Sequence, residues 1–149
     1  MERSYKSEKG GTVMAWVAPK TDWKSSDRFN ISDYNRIRGN LEYLHDYVEK
    51  LYTFFSMADL GVDKQSYADY FYAREFNGFE EALEQINSTA YTQDIGTKQT
   101  FSDNGAFIDW NELNRLESGT LKIYNLLERQ ENALQRLSFR LGYGKGVRA

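Results

Sequence analysis

Two stretches of this chain place apolar side chains alternately three and four residues apart. The first runs Tyr34, Ile37, Leu41, Leu44, Val48, Leu51 and Phe55. The second runs Leu113, Leu116, Thr120, Ile123, Leu127, Gln130, Leu134, Leu137 and Leu141. That spacing predicts two long helices, about 31–57 and 110–141. Tyr47, Tyr52 and Phe54 widen the first stripe, as suits a bundle helix with more than one neighbour. Thr120 and Gln130 interrupt the second; polar seam residues cost stability but can fix register or partner number. At 1.5 Å per residue, helices of roughly 25 and 32 residues measure ~38 and ~48 Å. Both exceed the ~30 Å width of a compact domain of this mass. The expected fold is therefore all-α, an elongated helical bundle.

Between the long helices the pattern predicts shorter ones. Asp63 can cap one carrying Tyr67, Tyr70, Phe71 and Ala73, and Asn77 another carrying Phe79, Ala82, Leu83 and Ile86. Residues 87–108 lose helical spacing; a loop of that length is often functional. It has room for a small β-hairpin through Thr100-Phe101 and Phe107-Ile108. At the front, Thr12 to Val17 is an apolar run suited to extended chain, closed by Pro19, the only proline. Residues 1–28 read as an extended arm and loop, with 1–12 flexible. Residues 29–141 read as the bundle, with Gly142 as C-cap and 142–149 as a loose tail. The whole chain, 1–149, is expected to be one helical domain.

One short pattern recurs. An aromatic residue and a small polar cap lead into a helix that carries Asn-Arg one turn in. The first copy is Phe29-Asn30-Ile31-Ser32-Asp33-Tyr34-Asn35-Arg36, and the last is Phe107-Ile108-Asp109-Trp110-Asn111-Glu112-Leu113-Asn114-Arg115. A weaker middle copy, Glu75-Phe76-Asn77-Gly78-Phe79-Glu80, lacks the Asn-Arg. The pattern describes how helices start and pack; it contains no reaction chemistry.

Composition narrows the reading. The chain has 149 residues, 40% hydrophobic and 28% charged, which fits a folded protein rather than a disordered one. Aromatics reach 15%, with 11 Tyr, 9 Phe and 3 Trp, suited equally to an extensive interface and to a Tyr-rich core edge. The net charge of −3, with no strongly basic stretch, argues against nucleic acid as partner. With no cysteine, disulfides, thiolate zinc and a Cys nucleophile are excluded. No apolar run approaches the ~20 residues of a membrane span, and the N-terminus lacks the apolar stretch of a signal peptide. No membrane partner and no cofactor are expected.

Individual residues have competing readings. Arg36 and Arg115 can clamp carboxylates of a neighbouring subunit, or can tie down their own loops by pairing with Asp33 and Glu112. Trp16, Trp23 and Trp110 lie at or before helix starts, where they serve as staples, as interface residues or as a sugar platform. His45, the only histidine, suits a surface or packing role. Glu80, Glu81 and Glu84 read as a solvated helix face rather than a hydrolytic pair. Gly10-Gly11 and Gly142 to Gly146 lack the strand and helix context of a phosphate loop.

The string Lys20-Thr-Asp-Trp-Lys-Ser-Ser-Asp-Arg-Phe-Asn-Ile-Ser-Asp-Tyr-Asn-Arg-Ile-Arg-Gly-Asn-Leu-Glu-Tyr-Leu44 resembles a segment of small tail-region proteins of phages that infect Gram-positive bacteria. Phe107 to Leu116 is similar to a second block of such proteins, and together the two cover about a quarter of the chain. The resemblance implies a virion structural protein, a non-enzymatic assembly component of a phage tail or baseplate. Its partners would be other virion proteins and further copies of itself. Trp16, Trp23, Phe29, Tyr34, Arg36, Trp110 and Arg115 are the candidate interface residues. The alternative is a tail-tip module that binds host glycan through Trp16, Trp23 or the 87–108 loop.

Overall fold

A computed structural model describes residues 4–6, 13–66, 68–103 and 108–143. The elements in order are β1 (Ser4–Lys6), β2 (Val13–Ala15), α1 (Ile31–Leu51), α2 (Ala73–Thr89) and α3 (Trp110–Tyr143). The fold is all-α, a three-helix bundle with one short hairpin. In the hairpin, Ser4 pairs Ala15 and Lys6 pairs Val13, antiparallel. Part of the expected flexible arm is therefore strand, and the rest of residues 1–12 lies outside the described residues.

All three helices run in the same direction. Contacts between α1 and α3 keep a constant offset: Arg36 to Glu117 and Lys50 to Glu131 each span 81 residues, and Tyr47 to Glu131 spans 84. A helix pair holds such an offset only when parallel. Arg115 of α3 meets Glu80 of α2, 35 residues earlier, and the next turn of α3 brings Gly119 against Leu83. So α2 is parallel to α3 as well. Parallel neighbours in one chain require long return connections, which residues 52–72 and 90–109 supply.

The core follows from this register. Tyr34, Ile37, Leu41, Leu44 and Val48 of α1 are buried, as are Phe76, Phe79, Leu83 and Ile86 with Ala90 just beyond α2. Leu113, Leu116, Thr120, Ile123 and Leu127 of α3 complete the set. Measured from Asn35, Asn77 and Asn114, these are the same positions on each helix. The two seams visible in the sequence are thus two of three, and they face one another.

Several boundaries differ from expectation. α1 stops at Leu51, where Tyr52 N–H still reaches Val48 O. The following Thr53-Phe54-Phe55 is β-branched and aromatic, a weak continuation for a helix. No helix starts at Asp63; its carboxylate accepts from Arg38 Nε at 2.8 Å, and Tyr70 and Phe71 lie in irregular chain. Tyr67 lies outside the described residues. α2 starts at Ala73, four residues before Asn77, because the Glu75 carboxylate accepts the Tyr72 N–H at 2.8 Å. Thr100 and Phe101 form no strand, and Phe107 lies outside the described residues. Gly142 continues α3 rather than ending it, and 144–149 lie outside the described residues.

Candidate functional site

Five asparagines on the helices act as brackets. Each presents its amide to one residue of a connection, accepting that residue's N–H and donating to its carbonyl, as a neighbouring strand would. Asn35 holds Lys64 at 2.8 and 2.9 Å. Asn77 holds Phe101 at 2.7 and 2.9 Å. Asn114 holds Trp23 at 2.7 and 3.0 Å. Asn40 does the same for Val17, and Asn87 for Gln93. Irregular chain has no ladder to satisfy its amides, so these side chains replace one.

The first three brackets form a cycle. Asn35 of α1 grips the segment leading into α2. Asn77 of α2 grips the segment leading into α3, and Asn114 of α3 grips the segment leading into α1. Each gripped residue stands eight or nine positions before the helix it introduces. The middle repeat is therefore not the weak copy that its sequence suggests. Asn77 corresponds to Asn35 and Asn114, not to a helix cap, and Gly78 stands where the others have arginine.

The arginines extend the same cycle. Arg36 of α1 pairs with Asp33 at 2.9 Å and, through Nε and a terminal nitrogen, with both oxygens of Glu117 on α3 at 2.8 Å. Arg115 of α3 pairs with Glu112 at 2.7 Å and with Glu80 on α2. Glu117 and Glu80 are both 1% exposed. The third link is missing on both sides at once: α2 has Gly78 for the arginine, and α1 has Arg38 for the acid. Lys64 instead joins Glu75 at 2.6 Å. Burial and the hydrogen bonds of its partners act oppositely on Arg36, and the partners prevail, raising its pKa. Burial raises the Glu80 pKa against the pull of Arg115.

Glu117 also accepts Lys20 N–H at 3.0 Å and Trp23 Nε1–H at 2.7 Å. One carboxylate thus joins α1, α3 and the entry segment. At the other end of the bundle Glu131 accepts from Tyr47 at 2.7 Å and from Lys50 at 2.6 Å. His45 is buried, with Nδ1 3.0 Å from Asp46 and Nε2 3.2 Å from both Phe55 O and Glu49. His45, Asp46 and Glu49 bring three ligand-type atoms together. Both ring nitrogens, however, face oxygen acceptors, the arrangement of a protonated ring rather than of a metal ligand.

The candidate interface residues are largely engaged within the chain, which corrects their expected place on a docking face. Trp16 is buried and stacks on Tyr124 at 4.1 Å. Trp23 and Tyr34 are buried. Phe29 packs among Trp23, Phe71 and Phe76. Arg36 and Arg115 close the loop ties just described. Of the seven, Trp110 alone is well exposed, at 41%. A glycan platform on Trp16 or Trp23 is closed off by the same packing. Glu80 is likewise not part of a solvated face, although Glu81 and Glu84 are exposed. Sequence reasoning did not single out Glu117 or Asn40. A signal for the buried acids exists: Glu80 and Glu117 each stand three residues after a bracketing asparagine.

Open surface grooves lie among the described residues. One, of about 470 Å³, is lined by Asn132, Gln135, Arg136, Phe139 and Arg140. Another, of about 450 Å³, runs along Asp94 to Gly96 and α3 from Arg115 to Asn125. Large apolar side chains also stay on the surface, including Phe54 at 77%, Val62 at 80%, and Tyr70 and Tyr91 near 70%. No helix of the described residues is long and apolar enough to cross a membrane. Comparison with family models, with curated proteins and with solved structures finds no match in any of the three.

Proposed function

We propose that this chain is a non-enzymatic assembly component of a phage tail or baseplate, working in the virion beside other tail proteins and further copies of itself. The observation that carries the reading is how the charged and amide side chains are used. Arg36, Arg115, Glu80 and Glu117 hold helix to helix, and the five bracketing asparagines hold connections against helices. Large apolar and aromatic side chains such as Phe54, Val62, Tyr70 and Tyr91 remain on the surface, of the kind that docks on other chains. The resemblance of residues 20–44 and 107–116 to phage tail-region proteins supplies the setting. The fold suits it, because cross-braced connections keep a small part rigid while its surface is loaded.

The test is a pull-down of the purified chain against the separated virion proteins of a phage that carries this gene, with cell-wall glycan as a parallel bait. Capture of a tail or baseplate protein, with glycan ignored, is expected. Binding to purified cell wall that is lost in Trp110→Ala would support the receptor-binding alternative instead.

A further inference from the structure

α3 outlasts its neighbours. α1 ends at Leu51, and the offset of 81 seen at Lys50–Glu131 sets that end level with residue 132 of α3. α2 ends at Thr89, lower still, yet α3 continues to Tyr143. Residues 132–140 are all exposed. About twelve residues, ~18 Å of helix at 1.5 Å per residue, project beyond the bundle. The seam that carries Ile123 and Leu127 into the core continues there as Leu134 and Leu137, 51% and 53% exposed. At the foot of the projection stand Tyr52 and Phe54, 40% and 77% exposed. An apolar seam is thus continued where no other helix of the described residues covers it.

Charge says what covers it. Residues 132–149 contain Arg136, Arg140, Lys145 and Arg148 and no acid, a balance of +4. The whole chain carries −3, so residues 1–131 carry −7. We propose that the seam is filled by a second copy of this chain, with the two projecting helices antiparallel. That orientation sets Leu134 of one copy against Leu137 of the other, a self-complementary isologous contact. It also sets Arg140 level with residue 131 of the partner, at the carbonyl end of the partner's α1 and the edge of its acidic bundle, where positive charge is favoured. An in-register parallel pairing would instead set Arg140 against Arg140. Three turns of helix do not reach the ~800 Å² per partner of a stable interface. Tyr52 and Phe54 at the foot of the projection therefore belong to it.

This inference makes specific the contact between copies that the assembly reading includes, and the two can fail separately. A chain that dimerises but ignores every virion protein keeps this inference and loses that reading, and the reverse outcome does the opposite. The experiment is analytical ultracentrifugation of the full chain over a wide concentration range, with the double variant Leu134→Glu/Leu137→Glu, with Phe54→Ala, and at low and high salt. The wild type is expected to form a dimer. The double variant should dissociate at least about tenfold more readily, a change of about 1.4 kcal/mol. Phe54→Ala and high salt should weaken the dimer too. Because the substituted side chains are exposed, thermal melting followed by circular dichroism should stay close to wild type in each variant. A wild type that stays monomeric, or a dimer indifferent to the double variant, overturns the inference. A monomer that binds anionic vesicles or nucleic acid through Arg136 and Arg140 overturns it in favour of that occupant.

Discussion

Arg36 and Glu117 meet fork to fork, Nε to one carboxylate oxygen and a terminal nitrogen to the other, each at 2.8 Å. Glu117 is 1% exposed, and its remaining hydrogen bonds come from Lys20 and Trp23. A buried carboxylate persists only when paired and hydrogen-bonded. Breaking such a pair from one side leaves an uncompensated charge, which costs about 3–5 kcal/mol. Arg36→Ala is therefore expected to lose stability of that order in urea unfolding. Arg115→Ala should behave alike, because it strands Glu80. A loss below about 1 kcal/mol, the size of a surface pair, would show that water reaches these sites.

The asparagine brackets predict local rather than global effects. Removing one leaves a backbone N–H and carbonyl without their partner, worth about 1–3 kcal/mol where they are buried. Asn35→Ala should release the amide of Lys64, Asn77→Ala that of Phe101, and Asn114→Ala that of Trp23. Hydrogen exchange read residue by residue checks this. Each variant should lose protection at its own bracketed amide while the amides of Leu41, Leu83 and Leu116 in the helix cores stay slow. Equal loss across all three connections would mean that the cycle opens as one unit.

The seams of α1 and α3 were plain because helical period and burial coincide there, and α3 was placed within about two residues. The parallel arrangement was not, because direction is set by pairs such as Arg36–Glu117 that lie 81 residues apart. The middle repeat was misaligned by an aromatic residue before an amide: Phe76-Asn77 imitates Phe29-Asn30. Its true counterpart, Phe71-Tyr72 before α2, lacks a small polar cap. The tie of Arg36 to Asp33 and of Arg115 to Glu112 was foreseeable from spacing alone; their second, buried partners were not. Burial of Trp16 and Trp23 depends on Tyr124 and Glu117, distant residues that no local pattern names.

Glycines separate two kinds of position. Gly39 lies inside α1, and a Cβ there meets nothing within 4 Å. Gly39→Ala should stabilise the fold by about 0.5–1 kcal/mol through helix propensity alone. Gly96 has φ +87°, and a Cβ there would come within 2.6 Å of the Arg115 side chain. Gly96→Ala combines backbone strain with displacement of Arg115 from Glu80. It should cost more than Gly39→Ala gains, by at least about 1 kcal/mol. Melting temperatures of the two variants, moving in opposite directions, are the check. If both rose, the contact between Gly96 and Arg115 would not exist in solution.

His45 gives the fold a pH dependence near neutrality. Its hydrogen bond to Asp46 raises its pKa against the opposing effect of burial, and Phe55 O and Glu49 add to the rise. Both ring nitrogens face acceptors, so the protonated ring makes the full set of contacts and the neutral ring loses one donor. For a group whose pKa is higher folded than unfolded, the contribution is complete below the unfolded value of about 6.5 and is lost as pH rises through the folded value. Stability should therefore fall as pH climbs from the ordinary histidine range upward. Glu80, raised by burial, gives a slope of the same sign, but its window opens near the ordinary carboxylate range. The two are separable by substitution. His45→Gln should flatten the upper slope and leave the lower one. Urea midpoints measured at a series of pH values provide the test, and an unchanged upper slope in His45→Gln would assign it to another group. Because His45 also holds the Phe55 carbonyl at 3.2 Å, the same titration should loosen the chain reversal after α1. Exchange at residues 52–57 should then quicken with pH by more than the intrinsic base catalysis of exchange in the wild type, and not in the variant.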